Sequence, residues 1–355
     1  MANVTYTVPN KNGSYDGDMV VKQYTSVDID AGDTVTTDQP CRGLFILCKG
    51  NVNISGTLSM SGKGAFADPT TGGASDNNAV DSNGLRFPFL TSGGSSSLTA
   101  ANTLLNGCGT TARSVIANFM TLSSNGTILS VVRQGANGGA TVNSSPGQSN
   151  HGNNGSNGST GQSGGGGSGG ANYNGGSGAG AYGSCFSGGS GGGAVDNGGS
   201  VTAGANWGGA GGNGSTGHGA AGSGGAGNPA GNDYDTTGTG DVAATTETNG
   251  TGGLIIIVAK GNVTVNSGGT ITVQGGRSKH TINANDWVAT GGAAGGGNII
   301  IAHKGTYTNN GTVTAAGGTA GVCYSGSIGS GGASGTYHAE GGNGGVGSVQ
   351  TLQIL

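Results

Sequence analysis

The sequence of 355 residues contains few charged residues, few aromatic residues and little proline. Charged residues make up 8% of the chain, against about 25% in an average soluble domain. Only 6 residues are proline, which excludes a collagen-like chain. The 12 lysines and arginines face 16 acidic residues, so nucleic-acid binding is not expected. No apolar run approaches the roughly 20 residues of a membrane span, so membrane insertion is not expected either.

Glycine is abundant instead and accounts for 85 of the 355 residues. Because Gly costs about 1 kcal/mol relative to Ala inside a helix, this content predicts little or no α-helix. The glycines are concentrated between residues 136 and 250. We therefore divide the chain into an N-terminal β domain for attachment or packing (1–135), a glycine-rich body (136–250) and a β-repeat region with interleaved glycine tracts (251–355).

A repeated unit occurs three times, at Gly43–Gly64, Gly253–Gly276 and Gly297–Gly318. Each copy begins with a continuous apolar run, which predicts a strand buried on both faces. Two alternating runs follow, which predict strands with one buried face. Such a unit cannot bury its apolar side alone, so the copies are expected to stack on each other. The first two copies would then enclose the glycine-rich body between them.

Weaker matches to the unit occur elsewhere in the chain. Phe119–Leu129 resembles a degenerate fourth copy, and Val346–Leu355 resembles a closing half-unit. Residues 1–40 give no assignable domain. Their aspartates, from Asp16 to Asp38, indicate turns, which Asp commonly stabilises.

Glycine recurs at every third residue from Gly152 to Gly170. A left-handed extended helix has three residues per turn and no internal hydrogen bonds. Gly at this spacing leaves one edge bare, where a neighbouring backbone can exchange hydrogen bonds. The spacing predicts packed polyglycine helices, and a flexible Gly/Ser/Asn linker stays as the alternative. The predicted fold class is all-β with little or no α-helix: short-strand β-sandwich or solenoid-like repeats combined with a packed polyglycine-II body.

The repeat copies and the G-x-y tracts resemble glycine-rich tail-fibre and adhesin proteins of phages. The resemblance implies a non-enzymatic structural virion protein, a tail-fibre or tip component that contacts the host cell surface, and it carries no catalytic motif or cofactor. The implied partners are other fibre or baseplate proteins and a host polysaccharide or outer-membrane receptor, and a homotrimer stays open. The N-terminal residues lack the regions of a signal peptide. We therefore expect a chain made in the host cytoplasm and located in the virion.

Large side chains interrupt the glycine pattern, and such positions are where a rigid scaffold would carry binding. The segment Arg277–Trp287 is the densest mixture of charge and aromatic residues in the C-terminal half. The alternative for each aromatic residue is that it fills a gap between packed segments. The candidate receptor contacts are Tyr173, Tyr182, Phe186, Trp207, Tyr234, Lys279, His280, Trp287, Tyr337 and His338.

The sequence contains no clear catalytic or metal-binding motif. Its only glutamates are Glu247 and Glu340, although a polysaccharide depolymerase would need paired carboxylates. Asp233 and Asp235 are weak candidates for a metal site, and a solvated loop is the favoured interpretation. A depolymerase and a cellular surface filament protein nevertheless remain alternatives.

The histidines and cysteines give no site either. The five histidines are scattered and are expected at the surface: His151, His218, His280, His303 and His338. The five cysteines include no C-x-x-C pair and are expected to be small buried side chains.

Overall fold

The computed structural model describes most of the chain, and it contains strands but no α-helix among the described residues. This confirms the prediction of an all-β protein at the coarse level. The residues outside the description are 1–2, 12, 18, 66–134, 147, 173–174, 184–186, 197–200, 205–207, 217–220, 232–233, 236–249, 284–287, 326–337 and 354–355.

The three repeat copies each form three strands, as predicted. The strands of the first copy are β5 (Leu44–Cys48), β6 (Val52–Ile54) and β7 (Thr57–Ser59). The strands of the second copy are β14 (Leu254–Ala259), β15 (Val263–Val265) and β16 (Thr270–Thr272). The strands of the third copy are β19 (Asn298–His303), β20 (Tyr307–Asn309) and β21 (Thr312–Thr314).

A further unit near the N-terminus was missed by the sequence reasoning. It consists of β2 (Val20–Tyr24), β3 (Val27–Ile29) and β4 (Thr34–Thr37), and β1 (Val4–Tyr6) precedes it. Lys22 and Gln23 interrupt the apolar run of β2, and Asp33 occupies the position before Thr34 where the first two copies have Gly56 and Gly269. The predicted turns are therefore present, but they connect the strands of a repeat unit.

The strands of the four units form three sheets with one strand per unit in each, which we call the strand stack. The first sheet has the order β2-β5-β14-β19-β24, the second β3-β6-β15-β20 and the third β1-β4-β7-β16-β21. All these neighbours are parallel. Strand β24 (Ser348–Gln353) pairs with β19 and confirms the predicted closing half-unit. The suggested fourth copy, Phe119–Leu129, lies outside the described residues.

The stack joins parts of the chain that are far apart in sequence. Leu44 of β5 pairs with Ile255 of β14, so the first and second copies do enclose the glycine-rich body. Strands from residues 1–135 and 251–355 share the same sheets, while the predicted domain boundaries stay a prediction. The core between the sheets contains the buried side chains of Ile46, Leu58 and Ile257.

The three inner strands of the first sheet are buried on both faces. Every residue of β5, β14 and β19 is buried, as the continuous apolar runs predicted. Ile256 and Ile300 are fully buried but lie outside the core cluster, because successive side chains of a strand point to opposite faces.

The described residues within 135–231, 275–297 and 315–347 form a second body, which we call the glycine-rich bundle. Its central segment is 164–170, in which every backbone N–H donates to a neighbouring segment over 2.9 to 3.1 Å. Residues three apart in this segment bond to the same neighbour, so the bonding direction repeats every three residues. Segments 153–156, 178–181 and 290–296 accept its N–H groups, and segments 136–139, 189–195 and 342–345 donate to its carbonyls.

The bundle and the strand stack are directly continuous. Gly253, Gly297 and Gly347 each precede the first residue of a strand of the first sheet, β14, β19 and β24 respectively. Ser187 Oγ lies 2.6 Å from Thr251 Oγ1 at this junction. A flexible linker would leave its backbone groups to water, so the linker alternative is wrong for the described part of the tract.

Three of the five cysteines lie in the described residues, and all three are buried with free thiols: Cys41, Cys48 and Cys323. Burial raises the pKa of the Cys41 thiol to about 11, because a thiolate would lose its solvation there. This confirms the expectation for these three. Cys108 and Cys185 lie outside the described residues.

Candidate binding end of the glycine-rich bundle

The bundle ends, on the side away from the strand stack, in ten very short strands. Two sheets of four strands have the orders β11-β10-β9-β8 and β13-β12-β18-β23, and β17 pairs with β22. The three groups pack against each other. We call this region the far end. Its strands are β8 (Ser149–Asn150), β9 (Ala171–Asn172), β10 (Val195–Asp196), β11 (Ser215–Thr216), β12 (Ala221–Gly222), β13 (Tyr234–Asp235), β17 (Thr281–Asn283), β18 (Val288–Ala289), β22 (Cys323–Ser325) and β23 (His338–Ala339).

The strands of the far end are short because glycine segments approach too closely to carry side chains. Its small apolar cluster is Ala194, Ala289 and Ala339, where methyl groups fill the space that remains. Asn172 Nδ2 donates to the Val288 carbonyl over 2.8 Å and thereby joins the two four-stranded sheets. Side-chain hydrogen bonds thus supplement a very thin apolar core.

Six sequence segments outside the description directly follow strands of the far end. Their aromatic and histidine residues are Tyr173, His218, Trp287 and Tyr337. These segments are 173–174 after β9, 197–200 after β10, 217–220 after β11, 236–249 after β13, 284–287 after β17 and 326–337 after β22.

His280 and His338 belong to the far end, but their side chains are buried. They are 6% and 8% exposed, respectively, and His303 in the strand stack is buried as well. The expectation of surface histidines is wrong for these three. The backbone N–H of Val322 donates to His280 Nδ1 over 2.8 Å, and it ties the residue before β17 to the residue before β22.

The charge environment of His280 favours its neutral form. Burial lowers its pKa below the ordinary value, and the nearby Arg277 guanidinium lowers it further, while Glu340 opposes the shift. Arg277 Nε is buried and has no hydrogen-bond partner among the described residues. A neutral His280 is consistent with acceptance of the Val322 hydrogen bond.

The other predicted contact residues and the two weak metal candidates, Asp233 and Asp235, fall into three groups. Tyr234 and Asp235 form β13, and half-buried Lys279 precedes His280, so these residues adjoin the far end. Tyr182 is 45% exposed, but it precedes Gly183, which lies close to Ser163 and Gly164 towards the strand stack. Outside the described residues lie Tyr173, Phe186, Trp207, Asp233, Trp287 and Tyr337.

One row of polar residues was missed by the sequence reasoning. His151 Nδ1, Asn154 Oδ1 and Asn157 Oδ1 accept the N–H groups of residues 340, 343 and 346. These three side chains are exposed and each precedes a glycine. The same period of three that revealed the glycines would have revealed them, because residues three apart face the same neighbour.

The described residues show no group of three His, Cys, Asp or Glu side chains arranged for a metal ion. Nor does any helix among them have the length and apolar character needed to cross a membrane. Comparison of the chain with protein-family models, with curated proteins and with solved structures gave no match.

Proposed function

We propose that the chain is a non-enzymatic structural protein of a phage particle, a tail-fibre or tip component that contacts the host cell surface. The observation that carries the proposal is the far end, where ten short strands held by a hydrogen-bonded bundle contain or directly adjoin in sequence Tyr173, Tyr234, Trp287 and Tyr337. A rigid body that presents irregular segments at one end is the arrangement on which binding residues are typically carried.

The finer architecture belongs to the same proposal. We take the bundle to be packed polyglycine-II helices, and the strand stack to be a solenoid of repeats. The three-residue recurrence of the hydrogen bonds around segment 164–170 supports the first. The single strand that each unit adds to each sheet supports the second. In both, neighbouring segments are joined by backbone hydrogen bonds, and the strand stack also has an apolar core.

The contact residues of the proposal are those beside the far end: Tyr173, Tyr234, Trp287 and Tyr337. Tyr and Trp supply contact area at a low cost in conformational entropy, and aromatic faces suit sugar rings. The partner would be a host polysaccharide or an outer-membrane receptor, and other virion proteins would hold the chain in the particle. Burial makes His280 and His338 poor contact residues and favours a role in holding β17, β22 and β23.

The proposal is tested by adsorption. Purified protein should compete with the phage for host cells, and Trp287→Ala or Tyr337→Ala should weaken the competition by about tenfold or more, as expected for a central aromatic contact. Tyr15→Ala is the matched control, since Tyr15 is an exposed aromatic residue outside the bundle. Unchanged competition by both far-end variants would remove the far end from the proposal, and virions lacking the chain by mass spectrometry would remove the virion role.

The alternatives give different results in the same assays. A cellular surface filament protein would be found on cells without phage infection. A depolymerase would release reducing ends from host polysaccharide and would lose this activity in Asp235→Asn or Glu340→Gln.

A further inference from the structure

We propose that copies of this chain stack head to tail, with the C-terminal end of one strand stack placed on the N-terminal end of the next. The proposal concerns self-assembly and does not depend on the function above. Its starting point is that, in the part of the chain that the structure describes, all three sheets end in strands paired on one side only. The N-terminal end presents β1, β2 and β3, and the C-terminal end presents β20, β21 and β24. An edge strand carries unpaired N–H and C=O groups that can pair with another chain.

The two ends are incomplete in complementary ways. Each complete layer of the stack has one strand in each of the three sheets, and β19, β20 and β21 form the last such layer. Beyond this last layer, β24 extends only the first sheet. The first complete layer is formed by β2, β3 and β4, and on its outer side β1 extends only the third sheet. When a second copy continues the stack, its β1 and the β24 of the first copy occupy one layer in different sheets, so they do not collide.

The C-terminal end exposes side chains that continue the apolar core. Val349 pairs in register with Ile299, which pairs with Ile255, and both isoleucines are fully buried. Val349 itself is 42% exposed. At the other end of the same column, Val20 pairs with Leu44, which pairs with Ile255. If a second copy continues the first sheet in the same register, its Val20 lies opposite Val349. Stacking would thus bury this column of the core.

Polar side-chain contacts stabilise the N-terminal end of the strand stack. The hydroxyl groups of Tyr6 and Tyr24 lie 2.6 Å apart, and Arg42 forms a buried ion pair with Asp16 at 2.9 Å. These contacts stabilise the N-terminal layer, and they leave its edge strands free to pair with a second copy. Gln23 on β2, Asp28 on β3 and Thr5 on β1 are exposed.

The charge distribution favours contact between unlike ends. Residues 1–40 contain six aspartates and two lysines, so the net charge of this segment is −4, the same as that of the whole chain. Residues 298–314, which form the last complete layer, contain Lys304 as their one charged side chain, and β24 contains none. Two N-terminal ends would therefore repel each other, whereas a C-terminal end meets the acidic end without repulsion. A contact between unlike ends does not close by symmetry and produces a linear array.

The backbone directions allow each end to be blocked separately. The N–H of Ser348 donates to Gly297, so alternate residues face β19 and Thr351 faces the open edge. The N–H of Val20 donates to Gly43, so by the same alternation Gln23 faces the open edge of β2. Proline at either position removes an outward donor without removing a bond inside the stack.

The test is sedimentation velocity over a range of protein concentrations. The wild-type chain should form a series of oligomers that grow with concentration, while Thr351→Pro alone and Gln23→Pro alone should stay monomeric. An equimolar mixture of the two variants should form dimers and nothing larger, because one competent pair of ends remains. Thr351→Val and Gln23→Thr, which keep the N–H groups, should assemble like the wild type.

Each other outcome overturns the proposal. A wild-type chain that stays monomeric at its highest soluble concentration overturns it directly. Dimers of Gln23→Pro alone would mean that two C-terminal ends meet, and dimers of Thr351→Pro alone would mean that two N-terminal ends meet. Circular dichroism checks that the variants are folded. If Thr351→Pro is not, Val349→Lys should block the same end by placing a charge in the shared layer.

Discussion

At the scale of single residues, the bundle depends on the absence of side chains at defined positions. A Cβ atom on Gly164, Gly167 or Gly170 would meet the backbone of 339–345. Backbone cannot move aside as the end of a flexible side chain can, so these positions exclude every residue but glycine. Their φ angles do not impose this requirement, since none of the three lies in the left-handed region. The requirement comes from the neighbouring segment.

Gly167→Ala should therefore destabilise the protein by about 3 kcal/mol, at the upper end of the range for overpacking. The Cβ would collide with the carbonyl group of Gly342. The change is measured as the free energy of unfolding in urea. The control is Ala179→Ser, at a half-buried position that already carries a Cβ and should change little. Equal stability of Gly167→Ala and wild type would contradict the packing of these segments.

His280 should make stability depend on pH. Its pKa is lowered in the folded protein by burial and by Arg277, so the unfolded chain binds the proton first as the pH falls. Stability should thus decrease as the pH falls below the ordinary value of 6.5 and level off below the folded pKa. Protonation at Nδ1 would also remove the acceptor of the Val322 N–H. Urea unfolding on both sides of this pH measures the effect.

His280→Gln supplies the comparison for this pH dependence. The side chain of Gln can accept a hydrogen bond but does not titrate, so the decrease in stability towards low pH should be smaller than in the wild type. The same decrease in both proteins would assign the pH dependence to other groups.

At the scale of elements, the Lys-Gly-Asn turn that follows the first strand of the first two copies, 49–51 and 260–262, holds each unit against the next. Asn51 Oδ1 accepts the N–H of Asn262, and Asn262 Oδ1 accepts the N–H of Thr306, each over 2.9 Å. The glycine before each Asn allows the close approach of the neighbouring turn. The third copy has Thr306 at this position, so the row of asparagines ends there.

Asn262→Ala should lower the free energy of unfolding by about 1 kcal/mol, because the N–H of Thr306 loses its side-chain acceptor. Asn262→Asp keeps an acceptor oxygen and should lose less. The control is Asn310→Ala, since exposed Asn310 bonds to Val265 through its backbone N–H. A loss as large for Asn310→Ala as for Asn262→Ala would refute a special role of the row.

The elements also show what could be predicted and what could not. The three copies, the closing strand and the lack of α-helix in the described part of the chain followed from patterns within short stretches of sequence. The unit of β2, β3 and β4 did not, because Lys22 and Gln23 lie on an edge strand that has no need to be apolar on both faces. Tertiary position overrode the local pattern there.

At the scale of the whole molecule, the strand stack and the bundle are parts of one connected hydrogen-bond network. Gly164 donates to Gly296, which directly precedes Gly297 and strand β19, and Gly188 donates to Gly252. Leu44 and Ile255 are neighbours although 211 positions apart in the sequence. Such pairing brings a large cost in loop-closure entropy, which only the complete fold offsets.

We therefore expect one cooperative unfolding transition. In native-state hydrogen exchange, the amides of Gly164–Gly170 should be protected on the order of 10³-fold or more, like those of β14. With increasing urea, both sets should lose protection together. Fast exchange of the glycine amides with continued protection of β14 would show that the bundle opens independently.

Local sequence patterns were sufficient to predict strands of alternating and continuous apolar residues, a repeated unit, and glycine at a period of three. These are local patterns, and backbone sterics act locally. The tertiary structure decided which segments became neighbours, where the N-terminal unit joined the stack, and that strands distant in sequence assemble at one end. These features depend on hydrogen bonds between residues far apart in the chain, and a repeat as uniform as glycine does not encode its partner.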